Sequence, residues 1–271
     1  MEIMLKPAQE GRSIPKIIHQ TYANKNLPPE IEANIETIKN LNPDWDYRFY
    51  DDQDIENYLS EHFPWSLVYY RRIKPNYGPA RADFFRYLLM YNEGGVYLDV
   101  KSSLSKPLNE VIQGDDRFLL SHWRNEPGEK YERWGKHPEI EMARGEFQQW
   151  HIVSAPGHAF LKTVIQKVCN NIDGYNPYTY GVGKRGVLRT TGPIPYSMAI
   201  LPLLESCSYR LVDAEKDLGF IYSIFKYGPN QHRNIFKTDY TGQRDSPIRI
   251  SPIKKLSMWL NYKLFRYWPG P

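Results

Sequence analysis

The helix, glycine turn and strand predicted over residues 79–100 constrain the fold more than any other segment. Residues 80–90 have the apolar spacing of a helix, and Gly94-Gly95 interrupts it before the apolar run 96–98. Asp99 follows directly. The pattern therefore predicts an acidic side chain at the carboxyl end of a buried strand.

The segments before this unit alternate between strand and helix, which indicates an α/β fold. Strands are predicted at 14–22 and 47–50, and helices begin at Pro28-Pro29 and after the acidic stretch 51–54. This order predicts a mainly parallel, Rossmann-like sheet with helices on its faces. Because ligands of such sheets bind at the carboxyl ends of the strands, the end of the first strand and Asp99 are expected to line one crevice.

The second half of the chain is less regular in pattern. A strand is predicted at 150–155 and a helix through 160–168. Residues 122–150 are polar and weakly periodic, which predicts a long loop or a helical insertion. Residues 174–195 are rich in Gly, Pro, Tyr and Thr and are predicted as a functional loop, followed by a helix at 195–204.

Composition narrows the class of protein. The chain has 271 residues, 41% of them hydrophobic, which is enough for one large domain with a real core. The net charge of +4 is modest and no nucleic-acid-binding signature accompanies it, so no nucleic-acid partner is expected. Cys169 and Cys207 are the only cysteines, which favours a reducing compartment. With no signal-peptide pattern and no apolar run of about 20 residues, a cytoplasmic location is expected.

Asp83 and Arg86 extend the polar group at Asp99. They lie three residues apart on the predicted helix and therefore share a face, although such a pair could also be a plain surface ion pair. Where a strand ends in Asp-x-Asp, the two carboxylates can hold Mg²⁺ or Mn²⁺ against a diphosphate. Here Lys101 stands where the second acid would be. Strand alternation predicts that Lys101 and Asp99 point to the same face.

Four ordered blocks resemble glycosyltransferase family 32, whose members carry a sugar-binding region with a DXD motif and include α-mannosyltransferases and capsule or lipopolysaccharide enzymes. The blocks are residues 14–21, 42–45, 80–87 and 94–99, and Thr191-Gly192-Pro193 is similar to a further segment of such enzymes. The resemblance implies a GT-A fold, a nucleotide-sugar donor, a glycan or glycolipid acceptor and retention of the anomeric configuration.

The resemblance also implies a division of the chain. Residues 1–252 would form a single GT-A domain, with a nucleotide-sugar-binding half at 12–110 and an acceptor half at 111–252. Residues 253–271 form a basic and aromatic tail, predicted as a C-terminal helix. Its residues suit peripheral contact with an anionic membrane, and the alternative is a helix docked on the domain or on a second copy in a homo-oligomer.

The roles of single residues follow from the same resemblance. The catalytic residues are Asp99, Asp83 and Arg86. The donor-binding residues are His19, Gln20, Thr21, Tyr22, Tyr97, Asp83, Arg86 and Lys101. Their position in the chain, and not the resemblance, suggests Gln149, Trp150, Thr191 and Gly192 as candidates at the acceptor or the reactive face. Read without the resemblance, His19 and Tyr97 could equally be core residues, and the tryptophans 123, 134 and 150 could pack in the core rather than stack on sugars.

Lys101 leaves two alternatives for the cofactor. In the first, Asp99 still holds Mn²⁺ or Mg²⁺ with help from a C-terminal side chain such as His232. In the second, the Lys101 ammonium replaces the charge of the cation. Losing one ligand weakens a metal site more often than it abolishes it, so a divalent cation is expected. The alternative function is a non-catalytic nucleotide-sugar-binding relative, or a regulatory subunit of a glycosyltransferase complex, in which Lys101 marks lost activity.

Overall fold

The computed structural model of the chain describes residues 10–225 and 242–266, with side chains up to residue 263. The strands of these residues are Ile17–Thr21 (β1), Asp46–Tyr50 (β2), Gly95–Leu98 (β3), Ser103–Leu104 (β4), Phe118–Leu120 (β5), His151–Ser154 (β6), Arg210–Leu211 (β7) and Phe220–Ile221 (β8). Six of them form a central sheet in the order β2-β1-β3-β6-β5-β7, and β4 pairs with β8 in a small antiparallel sheet.

Helices cover both faces of the central sheet. Their bounds are Pro29–Leu41 (α1), Asp52–His62 (α2), Leu67–Arg72 (α3), Gly78–Glu93 (α4), Leu108–Val111 (α5), Ala159–Asp173 (α6), Pro177–Tyr180 (α7), Gly183–Thr190 (α8), Pro193–Ile200 (α9) and Pro252–Arg266 (α10). Along β3, Tyr97 packs in the core cluster with α4 and α6, whereas Val96 and Leu98 pack in the cluster with α1 and α5. This alternation of side chains places a separate hydrophobic core on each face.

The direction of the strands confirms the predicted α/β class with a mainly parallel sheet. β1 is parallel to β2 and to β3, β6 runs antiparallel to β3 and to β5, and β7 is parallel to β5. Five strands thus point one way and β6 points the other. His19 of β1 pairs with Tyr97 of β3, so the carboxyl ends of these two strands reach the same edge of the sheet.

Gly94 and Gly95 make the tight passage from α4 into β3. Their φ angles are +66° and +95°, which residues with a side chain rarely adopt. A Cβ on Gly95 would lie 2.5 Å from the carbonyl oxygen of Ile17, and one on Gly94 would lie 2.7 Å from the backbone nitrogen of Pro156. The glycine pair therefore allows a tight turn between α4 and β3, in which β3 packs against β1. There is no room for a side chain at either glycine position.

Several predicted segments differ from the structure. Residues 174–195 are not a loop, since α7, α8 and the start of α9 lie within them. The helix predicted at 195–204 begins earlier and ends as a 3-10 turn, Leu201–Leu203. Residues 122–150 contain neither helix nor strand, so the loop alternative is the correct one. β3 ends at Leu98 rather than near residue 100.

The C-terminal helix α10 lies against the short helix α7. The ring of Tyr262 stacks on that of Tyr178, with centroids 4.9 Å apart and planes 16° from parallel. Ile253, Leu256, Trp259 and Leu260 are all exposed on this helix. No helix in the described ranges 10–225 and 242–266 is both long and apolar enough to span a bilayer.

Candidate active site

Asp99 lies where β3 ends, and its backbone is fixed on both sides. Its N–H donates to the carbonyl of Trp150 at 2.8 Å, and its carbonyl accepts from Nε2 of Gln20 at 3.2 Å and from the N–H of Ser102 at 2.8 Å. The side chain is 25% exposed. A partly exposed carboxylate on a rigid backbone is thus presented at the sheet edge where ligands of α/β sheets bind.

The guanidinium of Arg86 forms ion pairs with both Asp99 and Asp83. Its Nη2 lies 3.0 Å from Oδ1 of Asp99 and 3.4 Å from Oδ1 of Asp83, and its guanidinium covers the ring of Tyr97 with 4.6 Å to the centroid. Burial lowers the pKa of Arg86, but Tyr97, Asp99 and Asp83 outweigh burial and raise it above the ordinary value. Arg86 is therefore a buried, permanently charged group that holds two carboxylates.

Asp83 is buried and most of its hydrogen-bonding capacity is used inside the protein. Nε2 of Gln149 donates to Oδ1 at 3.1 Å, and the hydroxyl of Thr191 donates to Oδ2 at 3.0 Å. Burial raises the pKa of Asp83, while Arg86, Gln149 and Thr191 act to lower it. The resemblance implied that Asp83 touches the donor, whereas here its contacts orient Arg86 and tie α4 to the residue after α8.

Gln149, which lies two residues before β6, forms hydrogen bonds with both Arg86 and Asp83. Its carbonyl and its Oε1 both accept from Nη1 of Arg86, at 2.7 and 3.1 Å, and its Nε2 donates to Asp83. The hydroxyl of Tyr87 donates to the carbonyl of Thr191 at 2.8 Å, which fixes that residue in turn. Three separate parts of the chain thus meet around Asp83 and Arg86.

His19 is buried in β1, and both ring nitrogens have partners. Nε2 donates to the carbonyl of Gly94 at 3.0 Å, so Nδ1 is left to accept from the hydroxyl of Tyr50 at 3.3 Å. Burial lowers the pKa of His19 to about 4. A neutral ring with both nitrogens engaged favours a structural histidine over a donor-binding one.

The other β1 residues expected at the donor support the end of β3. The hydroxyls of Thr21 and Tyr97 share a hydrogen bond of 2.9 Å, and Oε1 of Gln20 accepts from the hydroxyl of Tyr47 at 2.8 Å. Tyr22, the residue just after β1, is half-buried, and burial raises the pKa of its hydroxyl. These contacts help to fix the carboxyl ends of β1 and β3 relative to each other.

Comparison with known proteins assigns the region that contains this group. Residues 28–118 match the family described as "Glycosyltransferase sugar-binding region containing DXD motif". That span includes α4, β3 and Asp99. This region of the chain is similar to that glycosyltransferase family.

Several curated proteins that are similar to this chain carry mannosyltransferase names. The chain is 25% identical over 209 residues to "Inositol phosphoceramide mannosyltransferase 3" of Schizosaccharomyces pombe, across 77% of this chain and 49% of that protein. It is 30% identical over 182 residues to "Initiation-specific alpha-1,6-mannosyltransferase" of Candida albicans, across 60% of this chain and 44% of that protein. The chain spans about half the length of the curated relatives it matches.

A solved glycosyltransferase shares the fold. The structure named "PaToxG Glycosyltransferase" superposes with a TM-score of 0.52 at 16% identity, and the match covers 94% of this chain and 88% of that one. This likeness confirms the GT-A-type fold.

Lys101 is placed differently from the strand-based prediction. Because β3 ends at Leu98, residues 99–102 form a turn, and the alternation of a strand does not extend to Lys101. Its Nζ donates to the hydroxyl of Tyr222 at 2.9 Å and lies 4.1 Å from the centroid of that ring. The ammonium is therefore held by an aromatic residue 121 positions away and makes no ion pair with Asp99.

Proteins with a DXD region typically bind a divalent cation, so the residues around Asp99 can be compared with the ligands that such a cation needs. Asp99 is a single carboxylate whose Oδ1 is already paired with Arg86, and the residue two positions after it is Lys101, not an acid. Within residues 10–225 and 242–266, no group of three or more acidic, His or Cys side chains is placed to hold a metal ion. His232 lies outside the described residues. The described residues do not fit a metal site built on two carboxylates.

The remaining predicted residues of the acceptor half lie in packed surroundings. Trp123 and Trp150 are 6% and 5% exposed, which favours packing over sugar stacking, and Trp134 is half-buried beside them. Gly192 caps α9, where a Cβ would lie 3.0 Å from Cα of Leu188. This glycine therefore allows α8 and α9 to approach closely.

Two residues that the sequence did not suggest complete the site. Tyr87 follows Arg86 on α4, inside a block that resembles the family, and that neighbourhood was a usable signal. Tyr222 lies far along the chain from Lys101 in an unremarkable segment, so only the folded structure reveals it.

Proposed function

We propose that this chain is a retaining glycosyltransferase that moves a hexose from a nucleotide-sugar donor to a hydroxyl of a glycan or glycolipid. The observation that carries the proposal is the Asp83–Arg86–Asp99 group, which lies at the shared edge of β1 and β3 within the family-matching region. The names of the relatives make mannose the first sugar to test.

The solvent exposure of the three side chains suggests a different role for Asp99 than for Asp83 and Arg86. The side chain of Asp99 is 25% exposed, whereas those of Asp83 and Arg86 are 5% exposed each. Asp99 is therefore the member that contacts the donor, through a hydroxyl of its ribose or sugar. Arg86 and Asp83 act as positioning residues, since they fix the Asp99 carboxylate before the donor arrives.

Retention of configuration follows from the resemblance and requires a proton acceptor for the attacking hydroxyl. In the reaction we propose, the bond from sugar to phosphate breaks, the bond from sugar to acceptor oxygen forms on the same face, and the leaving diphosphate takes the acceptor proton. The residues around Asp99 then need only to bind and orient the two substrates. Proton NMR of the product anomer tests this, and an inverted anomer would contradict retention.

We further propose a glycolipid acceptor reached at a membrane surface through α10. The exposed apolar residues of α10 are Ile253 (83%), Leu256 (58%), Leu260 (46%) and Trp259 (41%). They follow helical spacing, and Lys254, Lys255 and Lys263 lie among them, so the helix suits an anionic lipid surface. An exposed apolar face with interspersed lysines is typical of helices that lie in the membrane interface.

Flotation with phosphatidylserine vesicles tests the contact. The double variant Ile253→Ser/Leu256→Ser should lose vesicle binding. The matched control is Val68→Ser/Leu211→Ser, which removes two apolar residues of similar exposure, 61% and 57%, elsewhere on the surface. Equal flotation of both variants would contradict a role for α10.

A donor panel tests the transferase itself. GDP-mannose, UDP-glucose, UDP-galactose and UDP-N-acetylglucosamine are incubated with the full chain and with mannosylated or inositol-containing lipids. Release of nucleoside diphosphate with a new glycoside supports the proposal. Binding without any turnover across the panel would favour the non-catalytic alternative.

A further inference from the structure

Tyr222 is held rigidly by other aromatic rings. Its ring contacts those of Trp123, Trp150 and Trp134 at centroid distances of 5.0, 5.4 and 5.9 Å, each close to edge-on or steeply inclined. Tyr131 adds a fourth ring at 6.3 Å. Aromatic packing of this kind fixes the position of the Tyr222 hydroxyl.

The segment that carries Tyr222 is bound along the turn that carries Lys101. The N–H of Ile224 donates to the carbonyl of Lys101 at 2.9 Å, and the hydroxyl of Ser102 donates to the carbonyl of Tyr222 at 2.9 Å. β4 and β8 pair directly beside these bonds. Both ends of the contact between Lys101 and Tyr222 are therefore fixed by hydrogen bonds to their backbone carbonyls.

The Lys101 ammonium has no acidic partner. Among the residues that the structure describes, no carboxylate lies within 4.0 Å of Nζ, and Tyr222 takes one of its three hydrogen-bond donors. Arg86, by contrast, is neutralised by two carboxylates. Lys101 thus holds a half-buried positive charge close in sequence to Asp99, with donors left for a ligand.

The net charge of the site shows that the Lys101 ammonium can take the place of a divalent cation and one carboxylate. Two carboxylates with a divalent cation sum to zero, and one carboxylate with one ammonium also sums to zero. The site keeps the same net charge towards a diphosphate in either case. An ammonium on a fixed stem is also a suitable phosphate ligand in its own right.

We propose that Lys101, presented by Tyr222, is a built-in cation that binds the diphosphate of the donor and of the departing nucleotide in place of a metal. This inference rests on the proposed transferase function and names how that site binds its leaving group. The negative charge left on the diphosphate when the sugar departs is stabilised by the ammonium while the acceptor proton is transferred to the phosphate.

Calorimetric titration of the full chain with GDP and with UDP tests the proposal. In EDTA, the wild-type protein should bind at least one of them about as tightly as in Mn²⁺. Lys101→Met should weaken that binding about tenfold or more, as expected for the loss of a charge-assisted hydrogen bond. Tyr222→Phe should weaken it by a smaller factor, because the ammonium keeps its charge and its contact with the ring but loses the hydrogen bond to the hydroxyl.

A matched lysine controls for damage to the segment that carries Tyr222. Nζ of Lys106 donates to the carbonyls of Lys216 and Asp217 at 2.7 and 3.3 Å, so Lys106 holds the same segment away from the site. Lys106→Met should bind the nucleotide as the wild type does. Lys101→Asp rebuilds Asp-x-Asp, and we expect binding that is weak in EDTA and restored by Mn²⁺.

The outcomes separate the two proposals. If the wild type binds neither nucleotide in EDTA but binds in Mn²⁺, the built-in cation is wrong and the transferase stands. Binding in EDTA that is unaffected by Lys101→Met also overturns it. If Lys101-dependent binding occurs in EDTA while no donor is turned over, the cation site stands and the transferase does not.

Discussion

The hydroxyl of Thr191 donates to Oδ2 of Asp83 at 3.0 Å, across 108 residues of sequence. Asp83 on α4 therefore depends on the residue that follows α8 for the position of its buried carboxylate. Through Arg86, the same contact orients Asp99. The candidate site is thus assembled from both halves of the chain.

Replacing Thr191 with Val should destabilise the protein and reduce its activity. The change leaves one oxygen of a buried carboxylate without its donor, which costs about 1–3 kcal/mol of unfolding free energy. Thr190→Val is the matched control, because Thr190 is equally buried but donates to the neutral carbonyl of Gly186. Chemical denaturation and donor turnover check the pair, and equal losses in the two variants would contradict a special role for Thr191.

Arg86→Met should be among the most damaging single changes to this protein. It leaves Asp83 as a buried carboxylate without its cation, a loss of about 3–5 kcal/mol for broken buried ion pairs. Arg86→Lys keeps a charge but cannot reach Asp99, Asp83 and the Gln149 carbonyl together, so turnover should still fall steeply. Arg71→Lys, at an exposed pair with Glu56, should change neither stability nor turnover.

Acid should destabilise the fold through His19. Burial lowers the pKa of His19 to about 4, below an unfolded value of about 6.5, so the unfolded chain binds the proton first. The contribution of His19 is fully present above about pH 6.5 and is lost as pH falls towards 4, at a slope of about 1.4 kcal/mol per pH unit.

Denaturation series between pH 7 and 4.5 measure that slope. His19→Asn should show a shallower dependence of the unfolding free energy on pH, although it starts from a lower stability. His62→Asn, at an exposed histidine, should keep the wild-type slope. An unchanged slope in His19→Asn would refute the assignment of a neutral, buried ring.

Gly95→Ala should destabilise the sheet more than an ordinary glycine substitution. The new Cβ would lie 2.5 Å from the carbonyl oxygen of Ile17, at a φ of +95° that disfavours alanine. We expect a loss of about 2 kcal/mol or more, in the range of strained backbone positions. Gly114→Ala is the control, since a Cβ there meets nothing within 4 Å. Thermal midpoints of the two variants should differ clearly, and equal midpoints would contradict the close approach of β1 and β3.

The sequence predicted those parts of the fold that local chemistry determines. The acidic stretch 51–54 formed the expected cap, with the Asp51 carboxylate accepting from the N–H groups of Gln53 and Asp54. The glycine pair before β3 and the order of strands placed Asp99 at the right edge of the sheet. These features depend on residues within a few positions of one another.

Contacts between residues that are distant in sequence could not be predicted from local sequence patterns. The partner of Lys101 is Tyr222, and the partners of Asp83 are Gln149 and Thr191, which meet only after the sheet and α8 have formed. The composition of residues 174–195 suggested a loop because Gly and Pro mark turns, yet tertiary packing supports short helices there. The burial of Asp83 and Arg86 likewise depends on residues that are distant in sequence, so the spacing of residues on α4 does not predict it.

Donor turnover by the wild type and by Asp99→Asn tests whether the Asp99 carboxylate acts in the proposed transfer reaction. The substitution removes the one partly exposed carboxylate of the group while keeping its shape, so the thermal midpoint should stay nearly unchanged. We expect nucleotide-sugar turnover by the wild type and loss of most of that rate in Asp99→Asn. A wild-type rate in Asp99→Asn would contradict the assignment of the site.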